Sequence, residues 1–181
     1  MLVADLDPQR SATEVLKSRA GDGPEVATAS GATLMAAQYA ASGLNKALLV
    51  VDTPAGALED VSEAIVLADL AIMVVRPTLL DIAALVRTYS IVHRLQKPSI
   101  VVVSQAPVAR GGVEPPLVKR ALRALDYMKV NVAPIIVRSR AIYQTALETG
   151  RSAPSAEMVL RLATTLDVPL GSGAGNGEAD C

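Results

Sequence analysis

The chain has 181 residues, which suits one domain of ordinary size, and 51% of them are apolar, enough for a real core. With no Trp or Phe and only four Tyr, stacking on single-stranded bases is a poor candidate mode of action, and no apolar run approaches the ~20 residues of a membrane helix. The net charge of −1 hides a division: residues 1–75 carry four basic and ten acidic side chains, and residues 76–170 carry thirteen basic and six acidic.

Met1 to Ala4 leads into Asp5-Leu6-Asp7-Pro8, a short apolar run ending in acids that reads as a buried strand. Ser11 and Glu14 stand at capping-box spacing, so a helix is expected from Ser11. Residues 19–31 are rich in Gly, Pro, Ser and Thr and read as a loop. A helix near 32–42 ends at Gly43. Residues 47–52 form the second strand, followed by a turn, Thr53-Pro54-Ala55-Gly56, and a helix over roughly 58–68. Residues 70–75 are the third strand. Thr78 and Asp81 then cap a helix whose Ile82, Leu85, Val86, Tyr89 and Val92 share one face. Residues 99–103 are the fourth strand, and Gln105 to Glu114 is a loop. Pro115 and Pro116 open a helix with Leu117, Ala121, Leu122 and Leu125 inward and Lys119, Arg120 and Arg123 outward. Residues 132–137 are a fifth strand, weakened by Pro134. Helices over about 140–149 and 156–166 and a Gly-rich, disordered tail complete the reading.

Strands alternating with helices imply an α/β fold with a mostly parallel sheet and helices on both faces. Residues 1–170 are expected to form one domain, with 171–181 as the tail. Ligands of such folds bind at the carboxyl ends of the strands. Two strands end there in acids: Asp5 and Asp7 on the first, Asp52 on the second. Carboxylates gathered on one rim repel unless a cation sits among them, and Mg²⁺, which accepts one or two carboxylates and bridges to phosphate, suits the arrangement. The competing reading is that a single Asp merely caps the next turn or helix. The charge division is open to two readings as well: a cation-seeking half beside an anion-seeking half, or the ordinary scatter of surface charge. The one cysteine, Cys181, cannot staple the fold. With no leader-like N-terminus, a cytoplasmic location is expected.

These stretches resemble the ParA-type partition ATPases, deviant relatives of the P-loop NTPases that include MinD. Asp5-Leu6-Asp7-Pro8-Gln9 matches their D-x-D-P-Q stretch. Leu48 to Gly56, L-L-V-V-D-T-P-A-G, resembles their Walker B strand and turn. Ala68-Asp69, Val74 to Thr78 and Asp81 resemble their A-D-x-x-x-x-P-x-x-P-S-x-x-D pattern. Arg138-Ser139-Arg140 with Thr145-Ala146-Leu147 and Gly150 resembles a late pattern of the family. The likeness runs to about residue 168.

The resemblance implies a P-loop NTPase-like fold, and ATP and Mg²⁺ as cofactors. Asp7 would be the catalytic residue that orients the attacking water, and Asp52 would hold the metal through water. Asp5, Asp7 and Asp52 would line the phosphate side of the nucleotide, and Ser104, Pro107 and Pro134 would flank the adenine. Arg138, Arg140 and Arg151 would contact DNA phosphates without reading sequence, giving salt-dependent binding. It further implies a ParB-like centromere-binding adaptor, a homodimer, residence on the nucleoid and no membrane contact.

The family pattern opens with a strand, a K-G-G-x-G-K-T loop and a helix, and the 181 residues contain no such loop. That loop supplies the amides and the lysine that cradle phosphate. The expectation is therefore a domain incomplete on its N-terminal side, from a misplaced start or a decayed gene. Hydrolysis should be lost, and the strand edges that flank the missing strand should be open or newly paired. The second reading is a non-catalytic DNA- or partner-binding protein. A third takes Asp5 and Asp7 as the D-x-D of an aspartate-nucleophile phosphatase, against which the following Pro8-Gln9 argues. His93 stands without a second His or Cys to form a metal set and reads as a surface or satisfied histidine. Gly111-Gly112 is a loop pair with no dinucleotide fingerprint.

Overall fold

The computed structural model describes residues 1–18, 24–43, 48–55 and 58–140. Within them the chain runs β1 (Leu2–Asp5), α1 (Ser11–Ser18), β2 (Glu25–Thr28), α2 (Gly31–Gly43), β3 (Leu49–Asp52), α3 (Leu58–Leu67), β4 (Ala71–Val75), α4 (Leu79–Arg94), β5 (Ser99–Ala106), α5 (Pro116–Tyr127) and β6 (Val132–Arg138). The expected helix over 156–166, nearly all of that over 140–149, and the tail lie outside the described residues.

The strands form two parallel three-stranded sheets, ordered β2-β1-β3 and β4-β5-β6. Helices flank both, as the alternating pattern requires. Burial follows the strand positions. All four residues of β1, the middle of the first sheet, are buried. The middle strand of the second sheet, β5, is closed on both faces: Val101 and Val103 join the main core, while Ile100 and Val102 join a smaller cluster with Ala133. That continuous apolar run is the signature of a strand covered on two sides.

The main core gathers Met73, Val75, Ile82, Leu85, Val92, Val118, Ala121 and Leu125 with Ile65 of α3. A second cluster joins Ala4 and Leu6 to Leu34 of α2 and Ala64 of α3, with Leu49, Val51 and Leu67 packed against it. Helix α3 therefore contributes to the cores of both sheets. Lys97 reinforces the join, donating from Nζ to the carbonyl of Ala68 at 3.0 Å.

Local chemistry sets several boundaries. The Thr78 hydroxyl accepts the Asp81 amide at 3.2 Å and so caps α4 as expected. Helices α4 and α5 both stop at a non-glycine residue with positive φ, Gln96 (53°) and Lys129 (55°). Each of these turns closes by backbone bonds, Lys97 N–H to Val92 and Val130 N–H to Leu125.

Four sequence expectations need correction. Residues 25–28, expected in a loop, form β2, a short outer strand created by its pairing with β1 (Leu2↔Glu25 through Asp5↔Thr28). Strand β5 continues to Ala106, so Gln105 is strand and not loop. On α5 the inward residue is Val118, fully buried, and Leu117 is 40% exposed. On α4, Val86 faces outward while Ile82, Leu85 and Val92 are buried. In both helices the core stripe is narrower than the run of apolar residues.

Candidate functional site

The acids that end β1 and β3 come together because the two strands pair in register. Asp5 lies directly beside Asp52, and the Leu6 amide donates to the Asp52 carbonyl at 2.9 Å. Parallel pairing places both chain exits on one rim, where ligands of open α/β sheets bind.

The three carboxylates occupy different environments. Asp5 is 1% exposed. Its Oδ2 accepts the Thr13 hydroxyl at 2.7 Å and the Thr13 amide at 2.9 Å, and its Oδ1 accepts the Asp7 amide at 3.0 Å. Thr13 lies in the first turn of α1, so Asp5 supplies the negative charge that orphan amides at a helix start attract. Burial pushes the Asp5 carboxyl up, but the Thr13 hydroxyl and amide, the Asp7 amide and the Arg10 charge outweigh it, leaving Asp5 below its ordinary value.

Asp7 is half-buried at the head of a tight turn. Its Oδ1 accepts the Gln9 amide at 2.9 Å, its carbonyl accepts the Arg10 amide at 2.9 Å, and Arg10 takes a left-handed φ of 54°. Asp52 is exposed at the end of β3. Burial of its carboxyl raises Asp52 above its ordinary value, and the charges of Asp5 and Asp7 add to the rise. The rim thus holds a carboxylate that favours a proton or a nearby cation.

Among the described residues no three His, Cys, Asp or Glu side chains converge into a ready metal cage. Mg²⁺ does not require one: a single carboxylate, water and substrate phosphate suffice. The donor set at Asp52, with Asp7 alongside and Asp5 already committed to α1, fits that lesser demand.

The residues expected around the base belong to the second sheet. Ser104 lies in β5, and Pro107 follows its end. Arg138 pairs with Ala106 at the end of β6, and its Nη1 donates to the Pro107 carbonyl at 2.9 Å. The same guanidinium grips Glu114, with Nη1 2.8 Å from Oε2 and Nη2 on Oε1. The Arg138 charge therefore fastens the loop between β5 and α5 onto the end of β6. Hydrogen bonding from Arg138 holds the Glu114 carboxyl below its ordinary value, and the bond to Glu114 raises Arg138. Pro134 is set apart: it interrupts the middle of β6, where the register with β5 shifts, below the level of Pro107 and Arg138.

Arg140 is exposed, and Arg151 and Gly56 lie outside the described residues. Lys119, Arg120 and Arg123 line the exposed side of α5. His93 packs beside Tyr89, ring centroids 5.9 Å apart, on the outer side of α4. Sequence reading missed Thr13 and Glu114. Thr13 is eight residues from the acid it serves, and Glu114 is twenty-four from its arginine, so no local motif marks either.

No protein-family model matches the chain, and no curated protein matches it. Solved structures do. The MinD cell division protein of Aquifex aeolicus is 16% identical, over 99% of this chain and 85% of that one, with a TM-score of 0.66. The cell division ATPase MinD of Pyrococcus furiosus is 14% identical over 92% and 85%, with a TM-score of 0.61. Apo McdA of Cyanthece is 17% identical over 92% and 84%, with a TM-score of 0.59. At these identities the likeness is one of fold, and the chain has the parallel α/β fold of the MinD and McdA structures.

Proposed function

We propose that the chain is a ParA-like partition protein that works in plasmid or chromosome segregation through nucleotide-dependent, non-specific DNA binding. The observation that carries this reading is the register pairing of Asp5 with Asp52 at the carboxyl rim of a MinD-like fold, with Asp7 in the turn beside them. In this reading Asp52 holds Mg²⁺ through water, and Mg²⁺ when bound supplies charge neutralisation at the phosphates. Asp7, fixed by its turn, orients the attacking water. Asp5 acts on the site indirectly, by seating α1. Ser104 and Pro107 flank the base, and Arg138 holds their loop in place; Pro134 contributes through the shape of β6.

No Gly-Lys-Ser or Gly-Lys-Thr occurs in the sequence, and losing preorganised donors at a phosphoryl centre costs several kcal/mol in the transition state. In this reading ATP binds weakly enough that its effect on DNA binding is seen only at saturating Mg-ATP, and it is not hydrolysed. Non-specific DNA, a ParB-like adaptor and a second copy are its proposed partners. On DNA, Arg140 and Arg151 act with Arg138, and the last must first leave Glu114.

The second reading, a non-catalytic DNA- or partner-binding protein, is favoured by the lack of any Gly-Lys-Ser or Gly-Lys-Thr among these 181 residues. Measuring DNA binding with and without Mg-ATP separates the two. DNA affinity that rises with Mg-ATP and is abolished in Asp52→Ala supports the nucleotide-dependent reading. Salt-sensitive DNA binding indifferent to ATP moves the protein to the second, and no DNA binding at low salt removes both DNA readings.

A further inference from the structure

We infer that the outer sides of α4 and α5 form a binding face for the phosphate backbone of a duplex, carried by Arg87, Arg94, Arg120 and Arg123. The inference rests on the proposed function in one respect, that duplex DNA is a partner, and it assigns the contact to a different surface. The family resemblance points to Arg138, Arg140 and Arg151, but the Arg138 guanidinium is already bonded to Glu114 and to the Pro107 carbonyl. Helices α4 and α5 touch and share one core on the second sheet, where Ile82, Leu85 and Val92 meet Val118, Ala121 and Leu125.

The helix period then fixes what faces out. Arg87 stands on the side of α4 opposite Ile82, Leu85 and Val92, and Arg94, two turns or about 10.5 Å further along, repeats the position. On α5, Arg120 and Arg123 share the side opposite Val118, Ala121 and Leu125, with Lys119 beside them. Tyr127, 88% exposed, lies one turn beyond Arg123. All four arginines are exposed. Among the described residues none of the four pairs with an acid, unlike Arg76, Lys129 and Arg138.

The local chemistry of α5 works against this clustering. Its first turn holds no acid, and Lys119 and Arg120 follow at once, near the end of the helix where the dipole disfavours cations. Arg123 stands three and four residues from them, the spacings at which like charges repel. An unpaired cluster kept against both effects calls for an anion from outside. Arginine suits phosphate better than lysine does, because its planar fork gives two parallel bonds to one group. The two helices, each crossing between parallel strands, run side by side and set the arginines in two rows about 8–10 Å apart. A duplex, with a charge about every 1.7 Å of its axis shared between two strands, supplies phosphates to both rows at once. Beside the arginines Tyr127 is a lone exposed ring among the described residues of these helices' outer sides, so stacking on a single strand has no platform.

The test compares the full chain with a variant carrying Arg87→Gln, Arg94→Gln, Arg120→Gln and Arg123→Gln, titrating a mixed-sequence DNA duplex at several salt concentrations. Glutamine keeps helix propensity and removes the charge. The slope of log affinity against log salt should fall by about 3 to 4 units, with the far-ultraviolet spectrum unchanged. Lysine at the same four positions should restore most of that slope, and Arg140→Gln alone should lower it by no more than about one unit. If the fourfold variant loses the parent spectrum, the pairs Arg87→Gln with Arg94→Gln and Arg120→Gln with Arg123→Gln are read separately, each lowering the slope by about 2 units. A slope that stays unchanged in the folded variants overturns the face and leaves DNA binding elsewhere on the chain. A parent that binds no duplex at low salt overturns the face and the DNA partner together. Binding of polyglutamate as tight as that of the duplex, and lost in the same variants, assigns the face to an acidic polypeptide and overturns the duplex.

Discussion

Replacing Thr13 by Val tests whether the buried Asp5 carboxylate anchors α1. The substitution keeps volume and helix propensity nearly constant and removes one hydroxyl that donates to Asp5 at 2.7 Å. Hydrogen bonds to charged groups contribute about 1.5–3 kcal/mol. The amides of Thr13 and Asp7 remain on the carboxylate, so the acid is not orphaned and the loss should fall near 2 kcal/mol at pH 7. The pH dependence has a definite sign. Asp5 lies below its ordinary value in the folded chain, so its stabilisation is complete above the unfolded value of about 3.9 and is lost as pH falls through the folded one. In the variant the folded value moves back toward the unfolded one, and the gap between the two proteins should close below about pH 4. Urea unfolding followed by circular dichroism at pH 7 and at pH 4 and below measures both effects, with an unchanged m-value as the check on cooperativity. A loss under about 0.5 kcal/mol at pH 7, or one that persists undiminished in acid, refutes the anchoring role.

Asp52→Asn should leave the protein as stable as the parent or more so at neutral pH. Burial and the charges of Asp5 and Asp7 hold the Asp52 carboxyl above its ordinary value, so ionising it works against the fold as pH rises past the unfolded value; melting temperatures between pH 4 and 7 check this. Glu114→Gln should release Arg138 and steepen the salt dependence of binding to duplex DNA by about one unit of slope, read by titration at several salt concentrations. Leu125→Ala, at a fully buried position, should cost about 3 kcal/mol in urea unfolding. Leu117→Ala on the same helix should cost under about 1 kcal/mol, because Leu117 already meets solvent.

What could be read from the sequence was what local pattern controls. The apolar runs read at 47–52 and 70–75, bounded by acids or Pro, hold the strands Leu49–Asp52 and Ala71–Val75, because a run of that length closed by turn residues has few other uses. Thr78 and Asp81 mark a helix start because the cap is made within four residues. The rim acids could be found because parallel pairing sends every strand's exit the same way. Long-range decisions stayed hidden. Strand β2 exists only through its pairing with β1, and four residues of Glu, Val, Ala and Thr do not announce that. Arg138 reads as a free cation until folding delivers Glu114 to it. On the two amphipathic helices, the sequence marks an apolar stripe but not which of two adjacent apolar residues, Leu117 or Val118, points into the core.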